Sequence, residues 1–362
     1  MNKLIFFTAS LGLGGAERVI SVLSNNLVDN FDEVEIVLFY DRPIFYSIDK
    51  RVKIISIESK TKSQNVFKNI KYLRSYLKIS NPSVFVSFMA PFNIIALLSL
   101  PIQRTFPVII SDRSDPRFDL KSAFRRLLRK ILYALFADHL VLQTENNKQY
   151  YPKIVRNKSS VIYNPISIKD SQIGIALNEN KEKVIVSVGR FHPAKNHFLL
   201  INSYNRILQK YPEYKLIIYG DGDLRPQLES YIQQLGLERK VLLPGNVNNI
   251  PDTIKPAEIF VLSSDYEGMS NSLIEAMCLG LPVVSTKVNG AVDLIKDKVN
   301  GLLVDCGNEP QMISAIESLI ENENLRNVIS HNAVNIANDL NEKKIVSYWI
   351  ELIKSVRSVS VR

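Results

Sequence analysis

Cysteine and histidine are scarce in this chain of 362 residues. Its two cysteines, Cys278 and Cys306, show neither a metal-binding nor a redox spacing, which favours a reducing compartment. Only four histidines are present, which argues against a reaction that depends on several histidine acid–base groups.

A long apolar run is also missing. The longest candidate, residues 93–102, is shorter than the roughly 18 residues that cross a bilayer. Residues 1–10 resemble a weak signal peptide, but glycines and then Glu17 and Arg18 follow, with no small-residue cleavage site. We therefore expect a buried first strand and a cytoplasmic protein.

Acidic residues are under-represented in the first half only. Residues 1–165 hold 24 Lys and Arg against 13 Asp and Glu, whereas the rest of the chain holds 21 against 23. This asymmetry favours an anionic partner for the first half, such as lipid, phosphate or nucleic acid. The alternative is a basic surface that is merely solvated.

Short apolar runs alternate with helical patterns along the whole chain. The runs cover residues 4–8, 34–39, 52–57, 83–88, 107–111, 139–143 and 159–163, then 184–188, 215–219, 241–243, 259–263, 282–285 and 301–304. Runs of this kind are typical of parallel strands buried on both faces, and the helices between them predict doubly wound sheets.

The predicted organisation is α/β, with two Rossmann-like domains. The first spans residues 1–165 and the second residues 183–340, with a polar linker at 166–182. Residues 341–362, which contain the only tryptophan, Trp349, predict a helix that packs back on the first domain. Ligands bind beyond the carboxyl ends of parallel strands, so two such domains that face each other would share one cleft, and we expect the binding residues in the loops after strands.

Three loops after predicted strands carry candidate binding residues. In the first, residues 12–18, glycines let backbone N–H groups approach a phosphate or sugar, but Glu17 stands where a dinucleotide site needs a third glycine. The second, residues 189–196, offers Arg190 and Lys195 to a diphosphate. The third, residues 263–277, holds Glu267 in the loop and Glu275 on a helix predicted to begin near Asn271.

The combination Gly-Gly-Ala-Glu-Arg (14–18), Gly-Arg-x4-Lys (189–195) and Glu-x7-Glu (267–275) resembles the retaining GT-B glycosyltransferases of family 4. The resemblance implies that Arg190 and Lys195 hold the donor diphosphate, that Glu267 contacts the donor sugar and that Glu275 binds the ribose hydroxyls. It further implies donor contacts from Gly14, Gly15, Gly268, Met269, Ser270, Asn271 and Ser272.

The first domain departs from the family in one respect. Many members carry a histidine after the strand that here ends at Phe88, and residues 87–93 contain none. Residues 111–116 resemble a motif of bacterial members that extend lipid-linked oligosaccharides, which makes Asp112 and Arg113 candidate acceptor-binding residues. A charged turn without a ligand is the alternative.

Two further features concern metals and membranes. The Asp-Gly-Asp sequence at 221–223 resembles an Asp-x-Asp metal-binding motif, but its position after a predicted strand favours a strand-to-helix turn. Because the Arg190 and Lys195 charges can replace a metal ion, we expect no metal cofactor.

Residues 121–136 form a basic amphipathic pattern that predicts a membrane-facing helix, with cationic side chains at Arg125, Arg126, Arg129 and Lys130. A helix with its apolar side on the sheet is the alternative.

The predicted function is retaining transfer of a hexose or N-acetylhexosamine from a nucleotide sugar to a lipid-linked glycan. The resemblance implies a UDP-sugar, because UDP is the commonest donor nucleotide in such proteins. The polyprenyl-diphosphate acceptor and the basic helix place the protein at the inner face of the cell membrane. A nucleotide-sugar epimerase or hydrolase remains an alternative, although histidine is scarce. A basic nucleic-acid-binding protein is the other alternative; the acidic second half argues against it.

Overall fold

The computed structural model describes residues 2–12, 14–166, 168–178 and 180–360. Outside these ranges lie one residue of the predicted glycine loop, two of the predicted linker and both chain ends, namely Leu13, Ser167, Glu179, Met1, Val361 and Arg362. The chain forms two compact units, Met1–Pro165 with Glu342–Arg362, and Ile166–Asn341.

The strands alternate with helices, as the sequence predicts. Those of the first unit are β1 (Lys3–Thr8), β2 (Glu33–Leu38), β3 (Lys53–Ser56), β4 (Val84–Phe88), β5 (Val108–Ser111), β6 (His139–Leu142) and β7 (Ser159–Val161). Those of the second unit are β8 (Glu182–Val188), β9 (Lys215–Tyr219), β10 (Val241–Gly245), β11 (Ala257–Leu262), β12 (Val283–Thr286) and β13 (Leu302–Val304).

The helices before β8 are α1 (Gly15–Leu27), α2 (Ile57–Thr61), α3 (Val66–Ser80), α4 (Ala90–Leu98), α5 (Ala123–Phe136), α6 (Glu145–Gln149) and α7 (Lys153–Arg156). Those after β8 are α8 (His197–Lys210), α9 (Arg225–Gln234), α10 (Ile250–Ile254), α11 (Asn271–Leu279), α12 (Asn289–Leu294), α13 (Glu309–Glu321), α14 (Glu323–Ala333), α15 (Ile336–Leu340) and α16 (Glu342–Ser360).

The first unit is a parallel sheet with helices on both faces. Its strand order is β3-β2-β1-β4-β5-β6-β7. On one face α1 and α16 bury apolar side chains against the strands, and on the other face α3, α4 and α5 do so. Such two-sided burial explains why the strands are almost wholly apolar in sequence.

The C-terminal helix α16 belongs to the first unit. Trp349 is fully buried there and stacks on Phe88, with ring centroids 5.8 Å apart. The predicted return of the C-terminal helix is therefore confirmed, and burial of a large aromatic side chain is what holds it.

The second unit is also a parallel sheet, in the order β10-β9-β8-β11-β12-β13. Helix α11 is apolar around most of its circumference and is buried from Ser272 to Leu279. The described residues of the predicted linker belong to this unit and form two short 3₁₀ turns, Asp170–Gln172 and Ile175–Asn178. They pack on α11, since the Gly174 N–H donates to the Cys278 carbonyl at 2.8 Å.

Candidate active site

The strand order of the second sheet reverses between β8 and β11, which are parallel neighbours. The loops that leave two such strands run in opposite directions, so a crevice opens between them, and ligands of parallel sheets bind there. Residues 189–196 follow β8 and residues 263–270 follow β11. The second and third loops singled out in the sequence therefore lie side by side.

Hydrogen bonds join these two loops into one surface. The Asp265 N–H donates to the Ala194 carbonyl at 2.8 Å, and the Ser263 hydroxyl donates to the Lys195 carbonyl at 2.9 Å. The Asn196 amide also donates to the Asp265 carboxylate at 2.9 Å. The loops are thus fixed relative to each other before any ligand binds.

An ion pair crosses this surface from Lys195 Nζ to Glu267 Oε1. Both side chains are mostly buried, with 19% and 16% of their surface exposed, and the Ser264 hydroxyl donates to Glu267 at 3.4 Å. A cation held in this way can bind an anionic ligand group, and the carboxylate beside it can accept hydrogen bonds from hydroxyl groups. The residues predicted to bind the diphosphate and the sugar are therefore neighbours.

Arg190 lies on the same loop and is exposed. Its guanidinium makes no ion pair or hydrogen bond with the part of the chain that the structure describes. The backbone beneath it is held by a close approach of Gly220, where an added Cβ would lie 2.0 Å from the Gly189 carbonyl oxygen. Only glycine fits at this position, which also has φ +139.

The Asp221-Gly222-Asp223 segment supports the Arg190 loop. Asp221 accepts hydrogen bonds from the Gly222 N–H at 2.8 Å and from Arg225 Nε at 2.9 Å, while its carbonyl accepts from the Phe191 N–H at 2.9 Å. The predicted strand-to-helix turn is confirmed, although the N-cap of α9 is Leu224. Within the described ranges, no group of three or more His, Cys, Asp or Glu could hold a metal ion.

Helix α11 begins at Asn271 after Ser270, as the sequence predicts. The Ser272 hydroxyl donates to the Val188 carbonyl at 2.9 Å and so joins the helix start to the end of β8. The first turn of a helix offers free N–H groups, which suit a phosphate. Residues 268–270 are buried at this turn, and Glu275, on the next turn, is only 5% exposed.

Sequence reasoning missed two residues of this site. An added Cβ on Gly290 would lie 2.2 Å from the Gly268 carbonyl oxygen, so α12 can cover the third loop only with glycine there. His197 is buried under the Arg190 loop, edge-on to Phe191, and burial lowers its pKa to about 4. The Asn-Gly pair after β12 could have indicated the first, but no local pattern distinguishes His197 from a surface helix residue.

Gly14 and Gly15 belong to the first unit. They start α1, after β1, and the first sheet reverses its strand order between β1 and β4. Gly14 has extended backbone and its carbonyl accepts a hydrogen bond from the Tyr46 hydroxyl at 3.0 Å. Their donor-binding role stays a prediction.

Asp112 is fully buried, which contradicts its predicted contact with an acceptor. Its carboxylate accepts hydrogen bonds from the Tyr133 hydroxyl at 2.8 Å, from the Asn93 amide at 2.9 Å and from the Tyr151 hydroxyl. Burial raises the pKa of both tyrosines well above 10. A carboxylate so fully bonded inside the unit has a structural role.

The side chain of Arg113, the other acceptor candidate, packs against two aromatic rings. Its guanidinium lies 5.1 Å from the Phe88 ring centre and 5.5 Å from that of Trp349, and Nη1 donates to Asn164 at 3.2 Å. Burial lowers its pKa to about 9, and Nε and Nη2 have no partner among the described residues. It follows β5 at the carboxyl edge of the sheet, and its acceptor role stays a prediction.

The predicted membrane contact of Arg129 is wrong. Its side chain is fully buried, where Nη1 donates to Asp119 at 2.7 Å and Nη2 donates to the Pro116 carbonyl at 2.6 Å. Arg125 is exposed, while Arg126 and Lys130 are half-buried, with Lys130 4.2 Å from the Tyr150 ring centre. The predicted helix is confirmed, but one of the four basic side chains that were predicted to face the membrane is buried in the protein.

Comparison with known proteins gives the family. The model "Glycosyltransferase Family 4" matches residues 13–170, and "Glycosyl transferases group 1" matches residues 169–335. From Campylobacter jejuni, the GalNAc-alpha-(1->4)-GalNAc-alpha-(1->3)-diNAcBac-PP-undecaprenol alpha-1,4-N-acetyl-D-galactosaminyltransferase is 33% identical over 99% of this chain and 100% of its own length. The chain belongs to the family 4 glycosyltransferases.

A second relative agrees with this assignment, and a solved structure has the same fold. The N-acetylgalactosamine-N,N'-diacetylbacillosaminyl-diphospho-undecaprenol 4-alpha-N-acetylgalactosaminyltransferase of the same bacterium is 33% identical over 95% of this chain and 97% of its own length. The crystal structure of Anabaena Alr3699/HepE in complex with UDP and glucose matches with a TM-score of 0.81 at 20% identity, over 98% of this chain and 100% of that one. The GT-B fold class and the assignment as a glycosyltransferase are thus confirmed.

Proposed function

We propose that this glycosyltransferase moves a hexose or N-acetylhexosamine from a UDP-sugar to a lipid-linked glycan, with retention at the anomeric carbon. The observation that carries the proposal is the Lys195–Glu267 pair, with Arg190 on the same loop, at the strand-order reversal of the second sheet. This arrangement offers two cations to a diphosphate and a carboxylate to sugar hydroxyls.

In this proposal the second unit binds the donor. Arg190, Lys195 and the N–H groups at the start of α11 hold the diphosphate, Glu267 orients the sugar and Glu275 binds the ribose. As the bond from the anomeric carbon to the diphosphate breaks, the two cations stabilise the charge on the leaving group. The acceptor hydroxyl oxygen bonds to the same face of the sugar, and its proton passes to the departing phosphate oxygen. No metal ion is needed for this step, since the side chains supply the positive charge.

The acceptor proposed is a glycan on polyprenyl diphosphate. The names of the two Campylobacter relatives specify undecaprenyl-diphosphate glycans, and the first half of this chain has the excess of basic residues that an anionic acceptor would attract. No helix in the described ranges is long and apolar enough to span a membrane. We propose peripheral action on the anionic inner surface of the cell membrane, with no nucleic acid partner.

A transfer assay tests the proposal. Purified protein is incubated with single UDP-, GDP- and CMP-sugars and a synthetic undecaprenyl-diphosphate glycan, with EDTA present. We expect one sugar to move from UDP to the glycan in an α-linkage identified by nuclear magnetic resonance. Release of free sugar without transfer would identify a hydrolase, and interconversion of the UDP-sugar would identify an epimerase; either result would overturn the proposal.

A further inference from the structure

His197 is the first residue of α8 and lies beneath the loop that carries Arg190 and Lys195. The residue is only 4% exposed, and its ring packs edge-on against Phe191, with ring centres 5.4 Å apart. Neither ring nitrogen has a hydrogen-bond partner among the described residues. Because a buried polar atom without a partner costs free energy, its presence under a binding loop calls for a functional explanation.

Two backbone carbonyls lie close to this ring. Burial first, and then the charge of Lys195, lower the pKa of His197 to about 4, whereas the nearby carbonyls of Arg190 and Gly189 act in the opposite direction. The ring is therefore neutral at neutral pH, with one N–H donor and one acceptor nitrogen. A carbonyl can pair only with the donor, so a ring hydrogen bond to Gly189 or Arg190 needs no more than a small adjustment of the loop.

The loop above His197 carries its two cations at opposite ends. Arg190 follows Gly189 directly, whereas Lys195 ends the 3₁₀ turn Pro193–Lys195. The stem of Lys195 packs on the other end of the loop, since a Cβ added to Gly189 would lie 3.3 Å from Lys195 Cδ and Cε. An anion that both side chains bind would therefore draw the two ends of the loop together over the ring.

We propose that His197 is a positioning residue of the donor site. When Arg190 and Lys195 bind one diphosphate, the backbone between them settles on the imidazole, and the ring N–H of His197 donates to the carbonyl of Gly189 or Arg190. The new bond then holds the loop in its donor-binding conformation. This inference rests on the proposed function and goes beyond it, because it makes the last adjustment of the loop depend on the donor.

Nuclear magnetic resonance on protein labelled with ¹⁵N-histidine tests the inference directly. The chain has only four histidines, so replacing each in turn by glutamine assigns their signals. We expect saturating UDP at neutral pH to move the ring N–H proton of His197 downfield and to slow its exchange with water. His139 belongs to the first unit, has Nε2 2.9 Å from the Ser160 hydroxyl and should not respond. An unchanged His197 signal in protein that has bound UDP would overturn the inference.

Three variants separate the hydrogen bond of the ring from its volume. His197→Leu removes the unpartnered polar atoms, so we expect unchanged or higher stability to urea. We nonetheless expect kcat/KM for the donor to fall by about tenfold, because the loop loses its bond in the donor complex. His197→Asn and His197→Gln each place an amide N–H near one of the two ring nitrogens, and at least one of them should recover most of the lost activity.

Tyr204→Phe is the matched control on the same helix. It removes a buried hydroxyl that donates to the Tyr214 carbonyl at 2.8 Å, away from the loop. We expect this variant to lose stability to urea but to keep the wild-type kcat/KM for the donor.

Each outcome decides a separate point. If wild type binds no UDP-sugar, the proposed donor site fails and this inference fails with it. If wild type transfers sugar and His197→Leu does so at the same rate, only the inference is overturned. Equal losses of activity in all three His197 variants, or a similar loss in Tyr204→Phe, would assign the effect to the packing of α8 and would also overturn it.

Discussion

Lys195 and Glu267 form an ion pair between the loops that follow two neighbouring parallel strands, β8 and β11. The pair places the cation that is proposed to bind the donor diphosphate beside the carboxylate that is proposed to bind the donor sugar. The loops are already joined by the Asp265 to Ala194 and Ser263 to Lys195 hydrogen bonds, so the site is organised before the donor arrives. Such preorganisation is what electrostatic stabilisation of a leaving group requires.

Replacement of Lys195 should therefore slow the chemical step. We expect Lys195→Ala to lower kcat by about 10²–10³-fold, as is typical when one stabilising group is removed, with a smaller effect on the acceptor KM. Lys287→Ala is the matched control, because Lys287 follows β12 in the same unit and pairs with Asp305 at 2.7 Å on the surface. Unchanged turnover of Lys195→Ala in steady-state kinetics would remove this residue from the mechanism.

The turn at Gly220 should affect the affinity for the donor, although Gly220 itself contacts no ligand in the proposed function. Gly220→Ala would force a Cβ against the Gly189 carbonyl and displace the backbone that carries Arg190. We expect at least about tenfold weaker donor binding by calorimetry. The control is Gly236→Ala, where φ is +68 but the Cβ would have open space, so only about 1 kcal/mol of stability should be lost. Equal donor affinities for the two variants would contradict this account.

The strands and the second-unit loops were predictable because each depends on local sequence. Continuous apolar runs mark strands that are buried on both faces, and glycines or cations directly after a strand mark its carboxyl end. Residues 189–196 and 263–270 follow β8 and β11 on this rule. The return of α16 was likewise indicated by an apolar cluster around the lone tryptophan.

The predictions that were wrong concern side chains whose burial depends on residues that are distant in the sequence. Asp112 is buried because Tyr133 and Tyr151, far along the chain, supply its hydrogen-bond donors. Arg129 turns inwards because Asp119 and the Pro116 carbonyl lie under α5. A helical period identifies faces, but polar and charged residues on both sides of α5 left the buried face undecided. Only the tertiary partners decide it.

Arg113 carries a buried charge, and its Nε and Nη2 groups have no hydrogen-bond partner among the described residues. Replacement of Arg113 should therefore affect stability and activity differently. Arg113→Gln removes a charge that lacks a carboxylate partner within the described residues, so we expect the free energy of unfolding to stay within about 1 kcal/mol of wild type or to rise. If the guanidinium binds the acceptor, the acceptor KM should rise while the donor affinity stays the same. An unchanged acceptor KM would show that Arg113 only packs on Phe88 and Trp349.

The stability of the first unit should fall in acid because of His139. Burial, helped by the charges of Lys148 and Lys158, lowers its pKa to about 4 from an ordinary value of 6.5. The unfolded chain then takes up a proton before the folded one, so stability is complete above the unfolded pKa and is lost as the pH falls towards about 4.

Urea unfolding at a series of pH values measures this effect. His139→Gln can still bond to the Ser160 hydroxyl, which lies 2.9 Å from His139 Nε2, but cannot be protonated. We expect its free energy of unfolding to fall by about 2 kcal/mol less than that of wild type over this pH range. His331→Gln changes an exposed histidine and should follow the wild-type curve. Parallel curves for His139→Gln and wild type would contradict the assignment.

The most direct test of the central claim is calorimetric titration of UDP-sugars into the purified protein with EDTA present, beside a variant carrying Arg190→Ala and Lys195→Ala. We predict that one UDP-sugar binds wild type with a micromolar dissociation constant and binds the variant at least about tenfold more weakly. Binding that requires a divalent metal ion, or equal affinity for the two proteins, would contradict a diphosphate site built from these two side chains.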